Sequence, residues 1–133
     1  MSLRAWWPSV TWALLILALC LLPGSELPSW DWADLISLDK PIHAFLFGVL
    51  TLLVVRGMVP DRSLHVSTKV LVGSVLVAVG YGVAMEVMQE LEALGRHGDV
   101  PDAIANTTGA VAGAAYVRWR SIRQRSAGST KVV

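Results

Sequence analysis

The chain has 133 residues, of which 54% are hydrophobic and only 16% are charged, and its formal net charge is +1. This length fits one domain rather than two, and the charged fraction falls below the ~25% of soluble domains, which indicates lipid rather than water as the main solvent. The single cysteine, Cys20, excludes an internal disulfide.

Four hydrophobic segments follow one another, and each approaches the roughly 17–25 apolar residues that a membrane-spanning helix needs. The second carries Arg56 only near its end, where a long side chain reaches the headgroups. The third has one charge, Glu86, also near its end. The fourth is rich in Ala, Gly and Thr and contains Asp102 and Asn106, which predicts a helix that packs against partners. The predicted helices cover residues 6–22, 41–59, 70–88 and 100–117.

The first segment has two alternative interpretations. A cleaved signal peptide would begin with Arg4, but no clear small-x-small cleavage site follows. A lipoprotein box would end at Cys20, but Leu19 occupies the position where that box has a small residue. Three tryptophans in the segment fit an interfacial anchor. An uncleaved helix with a buried, apolar cysteine is therefore favoured.

The distribution of cations predicts the orientation. All but two of the 11 Lys and Arg residues fall before the first segment, around the loop between the second and third, or after the fourth; the exceptions are Lys40 and Arg96. Because the basic side faces the cytoplasm, the sequence predicts an all-α membrane protein with four transmembrane helices over residues 1–117 and both termini inside. Residues 118–133 are predicted to form a disordered basic tail, acting as a topology signal or touching anionic lipid.

Polar side chains gather at the opposite, extracytoplasmic face. Glu86 and Gln89 are three residues apart, and Asp102 and Asn106 are four apart, so each pair shares a helix face. Ionisable groups in membrane helices usually face a bundle interior or a wet cavity. The sequence therefore predicts one polar pocket that opens outward. Its members are Asp39, Lys40, His43, Glu86, Gln89, Arg96, Asp99, Asp102 and Asn106.

Within this set, His43, Glu86 and Asp102 are the candidate acid–base residues. The candidate ligand-binding residues are Asp39, Lys40, Gln89, Arg96, Asp99 and Asn106. The alternative for the whole set is a structural polar network. Asp39 and Asp99 also suit helix capping, Arg96 a solvated loop charge, and His43 an interfacial histidine. His43 with several carboxylates could also hold a divalent metal. Because no compact spacing of metal ligands occurs, neither a metal nor another cofactor is predicted.

Small residues on the fourth segment predict close helix packing. Gly109 and Gly113 form a G-x-x-x-G motif on the same stripe as Asp102 and Asn106. Such spacing lets two backbones approach closely. Packing within the chain is favoured over a dimer contact, which leaves a homo-oligomer open.

Three motifs follow one another along the chain: Asp39-Lys40-x-x-His43, Glu86-x-x-Gln89 and a run of spaced residues from Arg96 to Gly113. Together they resemble the signature of the VanZ-like family. The resemblance covers residues 39–113. It implies a small bacterial protein of the cytoplasmic (inner) membrane with a role in the cell envelope. The founding member of that family is associated with resistance to the glycopeptide antibiotic teicoplanin.

Three functions fit this sequence. One is binding of a membrane lipid or a lipid-linked envelope precursor, with cations holding an anionic headgroup. Another is an enzyme that uses the acid–base residues on an anionic, amphipathic envelope substrate. Transport is the third, and four short helices would need an oligomer to form a pathway. The sequence carries no phosphate loop, nucleotide fingerprint or nucleic-acid module, so no nucleic-acid partner is predicted.

Overall fold

The computed structural model of the chain describes residues 3–21, 32–59, 66–91 and 100–129, and it describes side chains for residues 4–20, 40–59, 66–88 and 100–126. This part of the chain forms four helices, each of which overlaps one of the four predicted segments, and they confirm the all-helical class. They are α1 (Leu3–Leu21), α2 (Trp32–Met58), α3 (Thr68–Leu91) and α4 (Val100–Ser129).

Helix α2 begins nine residues earlier than the sequence predicted, at Trp32 rather than Pro41. Asp39 therefore lies inside the helix, and the interpretation of Asp39 as a helix cap was wrong. Pro41 removes one backbone donor, yet the helix continues through it, because a single missing bond does not outweigh the helix-forming residues on either side. Pro101, in contrast, lies in the first turn of α4, where proline is well tolerated.

Helix α4 continues well past its apolar part. The sequence predicted disorder from Arg118 onward, but α4 extends to Ser129, so this prediction was wrong for residues 118–129. The segment contains Arg, Gln, Ser and Ala, which tolerate helix, and it has no glycine before Gly128 and no proline. An existing helix extends through such residues without a new nucleation step.

Two stretches of the described helices are long and apolar enough to cross a membrane: Lys40–Met58, with 19 residues, and Thr68–Met88, with 21. At 1.5 Å per residue, the shorter one reaches about 28 Å, close to a bilayer's hydrocarbon thickness. Only 39% and 28% of their best windows are buried, whereas the core helix of a soluble protein is mostly buried. The apolar stretch of α1, Arg4–Cys20, is shorter.

Contacts between neighbouring helices show that α1 and α2 run in opposite directions. The Trp12 indole Nε1 donates a 2.9 Å hydrogen bond to the Leu46 carbonyl, early in α2. Six residues before Trp12, the Trp6 ring lies against Gly57, near the end of α2. Helix α3 also runs antiparallel to α2. Gly82, late in α3, lies beside Phe47, early in α2, whereas the Ser74 hydroxyl, early in α3, lies 3.6 Å from the Met58 sulfur at the end of α2.

The core is made around α2, which contacts each of the other three helices. The Tyr81 hydroxyl on α3 donates a 2.6 Å hydrogen bond to the Ala13 carbonyl on α1, which satisfies the phenol inside the bundle. A smaller apolar cluster joins the end of α2 to the start of α3 and to Ala114 of α4. The main core cluster consists of Ile16, Cys20, Leu46, Phe47, Leu50, Val54, Ala78, Met85 and Ala110.

Candidate functional site

Helices α2 and α4 bring polar side chains together in two pairs. On the first turn after Pro41, His43 Nδ1 lies 3.1 Å from Asn106 Oδ1. Three residues earlier on α2, Lys40 Nζ lies 3.8 Å from Asp102 Oδ1. Residue numbers therefore increase in the same direction along both helices. Helices α2 and α4 are parallel and start at the same end of the bundle.

The hydrogen bond to Asn106 determines how His43 can act. An amide oxygen only accepts, so Nδ1 of His43 must carry the hydrogen and donate it. In the neutral ring, Nε2 is then the basic nitrogen. Asn106 is only 3% exposed, and a buried amide of this kind normally has its polar atoms engaged. The pair holds the imidazole in one orientation and one tautomer.

The ion pair is more open than the hydrogen bond. The side chain of Lys40 is 40% exposed and that of Asp102 is 18% exposed, so the ammonium lies at the rim and the carboxylate lies deeper. At 3.8 Å the two groups attract each other without a short hydrogen bond. Because the ammonium is the more exposed partner, an anion outside the bundle can approach it.

Helix α3 adds Glu86 to this end of the molecule. Gly82 marks where α3 passes the pair on α2 and α4, because a Cβ there would lie 3.4 Å from Asn106 Nδ2 and 3.1 Å from the Phe47 ring. Glu86 lies one helical turn further along and shares the face of Gly82. Its side chain is half-buried. We call Lys40, His43, Glu86, Asp102 and Asn106 the polar cluster.

A seam of small residues sets the register of α2 against α4. A Cβ on Gly109 would overlap the carbonyl of Ala44, and one on Gly113 would lie 2.6 Å from the carbonyl oxygen of Gly48. The two backbones touch at these positions, immediately beyond the His43–Asn106 hydrogen bond. The seam therefore holds the pairs of the polar cluster at fixed separations.

The predicted residues outside the polar cluster are described less fully. The backbones of Asp39 and Gln89 are helical, within α2 and α3, and their side chains are not among those described. Arg96 and Asp99 lie outside the described residues. Within the described part of the chain, no three His, Cys, Asp or Glu side chains form a group that could hold a metal ion.

Sequence reasoning missed the partners of the small residues on α4. Ala44 and Gly48 have the same four-residue spacing as Gly109 and Gly113, and this spacing was the signal that could have identified them.

A shallow depression on α3, lined by residues from Thr68 to Leu76, lies at the other end of that helix from Glu86. The polar cluster itself consists of interhelical contacts around an exposed Lys40.

Comparison with known proteins gives one match. The model of the family described as VanZ/LLP1 matches residues 4–121, nearly the whole chain and all five members of the polar cluster. No curated protein matches the chain, and no solved structure does.

Proposed function

The chain belongs to the VanZ/LLP1 family of membrane proteins, and on this premise we propose that its polar cluster binds the anionic headgroup of an envelope lipid or a lipid-linked precursor. The protein would cross the bacterial cytoplasmic membrane four times, with both termini inside and the polar cluster at the outer face. Its role would lie in the cell envelope and in susceptibility to glycopeptide antibiotics.

Helix directions and charge support this orientation. The helices alternate in direction, as successive crossings require. Lys69 at the start of α3 and Arg118 after the apolar part of α4 lie at the end of the bundle opposite Lys40. Basic residues favour the cytoplasmic side. The polar cluster would then face the compartment where envelope precursors are assembled.

One observation carries the proposal: a half-exposed cation and an oriented imidazole are held side by side at one end of an apolar bundle. Lys40 offers an ammonium that forms a loose ion pair with Asp102, and phosphate is a preferred partner for such a group. Around it, Ile42 and Phe45 are exposed on α2, and Ile104 is exposed on α4. Apolar surface beside a cationic site fits a ligand with both a headgroup and a hydrocarbon chain.

The test is binding of a polyprenyl phosphate to the purified full chain in detergent, measured by a change in thermal stability and by native mass spectrometry. We expect Lys40→Gln to weaken binding about tenfold, the effect of losing one charge-assisted hydrogen bond. Lys69→Gln is the matched control, because Lys69 is exposed at the opposite end. Equal affinity for wild-type protein and Lys40→Gln, or equal loss in both variants, would refute the proposal.

A membrane enzyme is the second candidate, and the His43–Asn106 hydrogen bond favours it. An imidazole oriented by an amide is a recurring arrangement for a general base. Here Nε2 would take a proton from water as the water attacks phosphorus, and a protonated Glu86 would give its proton to the leaving oxygen as its bond to phosphorus breaks. Release of inorganic phosphate from the same probe, lost in His43→Gln while binding persists, would support the enzyme. Binding without turnover would leave only the first candidate.

A further inference from the structure

The α4 extension, residues 118–129, concentrates positive charge on one helix. It carries four arginines, and all four side chains are exposed: Arg118, Arg120, Arg123 and Arg125. The sequence contains no acidic residue after Asp102. A run of exposed arginines on a regular helix presents a surface for anions.

Aromatic and apolar side chains lie among these arginines. Trp119 is 50% exposed and Ile122 is 51% exposed. The Tyr116 and Trp119 rings are 5.9 Å apart at their centroids, and Arg123 Cζ lies 4.6 Å from the centre of the Trp119 ring. This distance is that of a cation–π contact. Nucleic acid or an acidic protein would not require exposed aliphatic surface between the cations, whereas a lipid surface would.

On the proposed topology of four crossings, these cations would lie at the depth of lipid phosphates. From Arg118 to Arg125 the helix rises about 10 Å, and the headgroup layer on each side of a bilayer is roughly 5–8 Å thick. Long side chains on a helix point back toward its N-terminus. Arg123 does so, since its guanidinium lies over the ring of Trp119, one turn nearer the apolar part of α4.

We propose that the α4 extension binds the phosphates of anionic phospholipids in the leaflet where α4 leaves the membrane, with Trp119 and Arg123 as the central contact. Each guanidinium can hold a phosphate with two parallel hydrogen bonds. Trp119 rests at the boundary between headgroups and hydrocarbon, where tryptophan is enriched. This surface is separate from the polar cluster, which lies at the other end of α4.

The test uses the full chain reconstituted in nanodiscs with equal amounts of phosphatidylglycerol and phosphatidylcholine. Native mass spectrometry counts the lipids of each kind that stay bound. We expect phosphatidylglycerol to be retained preferentially. The quadruple variant Arg118→Gln, Arg120→Gln, Arg123→Gln, Arg125→Gln should lower this preference at least about tenfold, since each basic residue near an anionic surface contributes about fivefold. Because both leaflets have the same composition, a change of orientation cannot cause the effect.

Two further comparisons distinguish lipid binding at this site from a general effect of positive charge. Trp119→Leu should lower the preference about threefold, because it keeps an apolar side chain and removes the cation–π contact. Arg4→Gln is matched in charge to Arg123→Gln, but Arg4 is not part of the α4 extension, so its loss should lower the preference less than the loss of Arg123. The proposal is overturned by equal retention in wild-type and quadruple variant, by equal losses in Arg4→Gln and Arg123→Gln, or by capture of a short RNA duplex without lipid preference.

Discussion

At the scale of single residues, the hydrogen bond between His43 and Asn106 joins two helices inside the bundle. Asn106 is almost fully buried, so its amide would lose its hydrogen-bonding partners if His43 were removed. Hydrogen bonds between membrane helices average about 0.6 kcal/mol and reach about 1.7 kcal/mol. The geometry here, 3.1 Å between a nitrogen and an amide oxygen, is close enough for the upper part of this range.

Asn106→Ala should therefore destabilise the folded bundle by about 1–2 kcal/mol. A double-mutant cycle with His43→Ala should give a coupling energy of about 1 kcal/mol, because each single variant removes the same bond. The measurement is reversible unfolding of the purified protein from mild detergent into SDS.

Thr107→Ala serves as the control for this cycle. Thr107 follows Asn106 directly but is exposed, and its hydroxyl donates a 2.8 Å hydrogen bond to the carbonyl of Ala103 in its own helix. Its removal should change stability by less than about 0.5 kcal/mol. If His43→Ala and Asn106→Ala were strictly additive, the two side chains would not share the bond described here.

At the scale of helices, the contact between α2 and α4 depends on the absence of side chains. Most helix pairs are separated by 8–10 Å, but glycine allows a closer approach. Here the backbone of α4 at Gly109 rests on Ala44, and at Gly113 it rests on Gly48. The polar cluster lies at the start of this contact, so its geometry follows from the same close approach.

We expect Gly109→Ala to destabilise the bundle by at least about 2 kcal/mol, although alanine is the better helix former by about 1 kcal/mol. The reason is steric, since the new Cβ would overlap the Ala44 backbone, which cannot rotate away. SDS unfolding measures the loss. Binding of polyprenyl phosphate should weaken too, because the seam holds Lys40 and His43 in place.

Gly80→Ala is the matched control on α3. A Cβ at Gly80 would meet no atom within 4 Å, so alanine should be neutral or slightly stabilising there. Gly113→Ala should fall between the two, because its Cβ would lie 2.6 Å from a single carbonyl oxygen. A different order of the three variants would contradict the packing of α4 on α2.

The helices also show what the sequence could predict. Hydropathy located the middle of each helix, because apolar length is a direct requirement of a bilayer. Hydropathy could not locate the start of α2 or the continuation of α4 beyond Val117. Polar residues can continue a helix without giving any hydropathy signal. Spacing showed that Asp102 and Asn106 share a face, but not that this face meets α2.

The sequence singled out the five residues of the polar cluster, and the structure places them at one end of the bundle. Their role as a site stays a prediction. Which side chain meets which depends on the rotation and register of neighbouring helices. The contact between Gly109 and the Ala44–Gly48 stretch fixes this rotation and register. The spacing of small residues suggests such a contact, but it does not say which two helices make it.

At the scale of the whole molecule, polar and apolar side chains are distributed as an apolar solvent requires. Thr51 and Ser74 are fully buried, and their hydroxyls donate hydrogen bonds of 3.0 Å and 2.8 Å to carbonyls of their own helices. Large apolar side chains such as Phe45 and Leu76 point outward. In water, such a surface would drive aggregation, whereas in lipid it needs no partner. The orientation in that lipid then depends on charge.

Cysteine labelling in spheroplasts tests the orientation. Cys20→Ser removes the natural, buried thiol, and single cysteines are introduced at exposed, uncharged positions so that the charge bias stays intact. Val100→Cys should react with a membrane-impermeant maleimide in intact spheroplasts, because α4 begins at the face of the polar cluster. Thr68→Cys and Gln124→Cys should react only after lysis, since α3 begins and α4 ends among the basic residues that the proposed orientation puts in the cytoplasm. The reverse pattern would place the polar cluster inside the cell, beyond reach of any external headgroup. Reaction of all three in intact spheroplasts would mean that α3 and α4 do not span the bilayer.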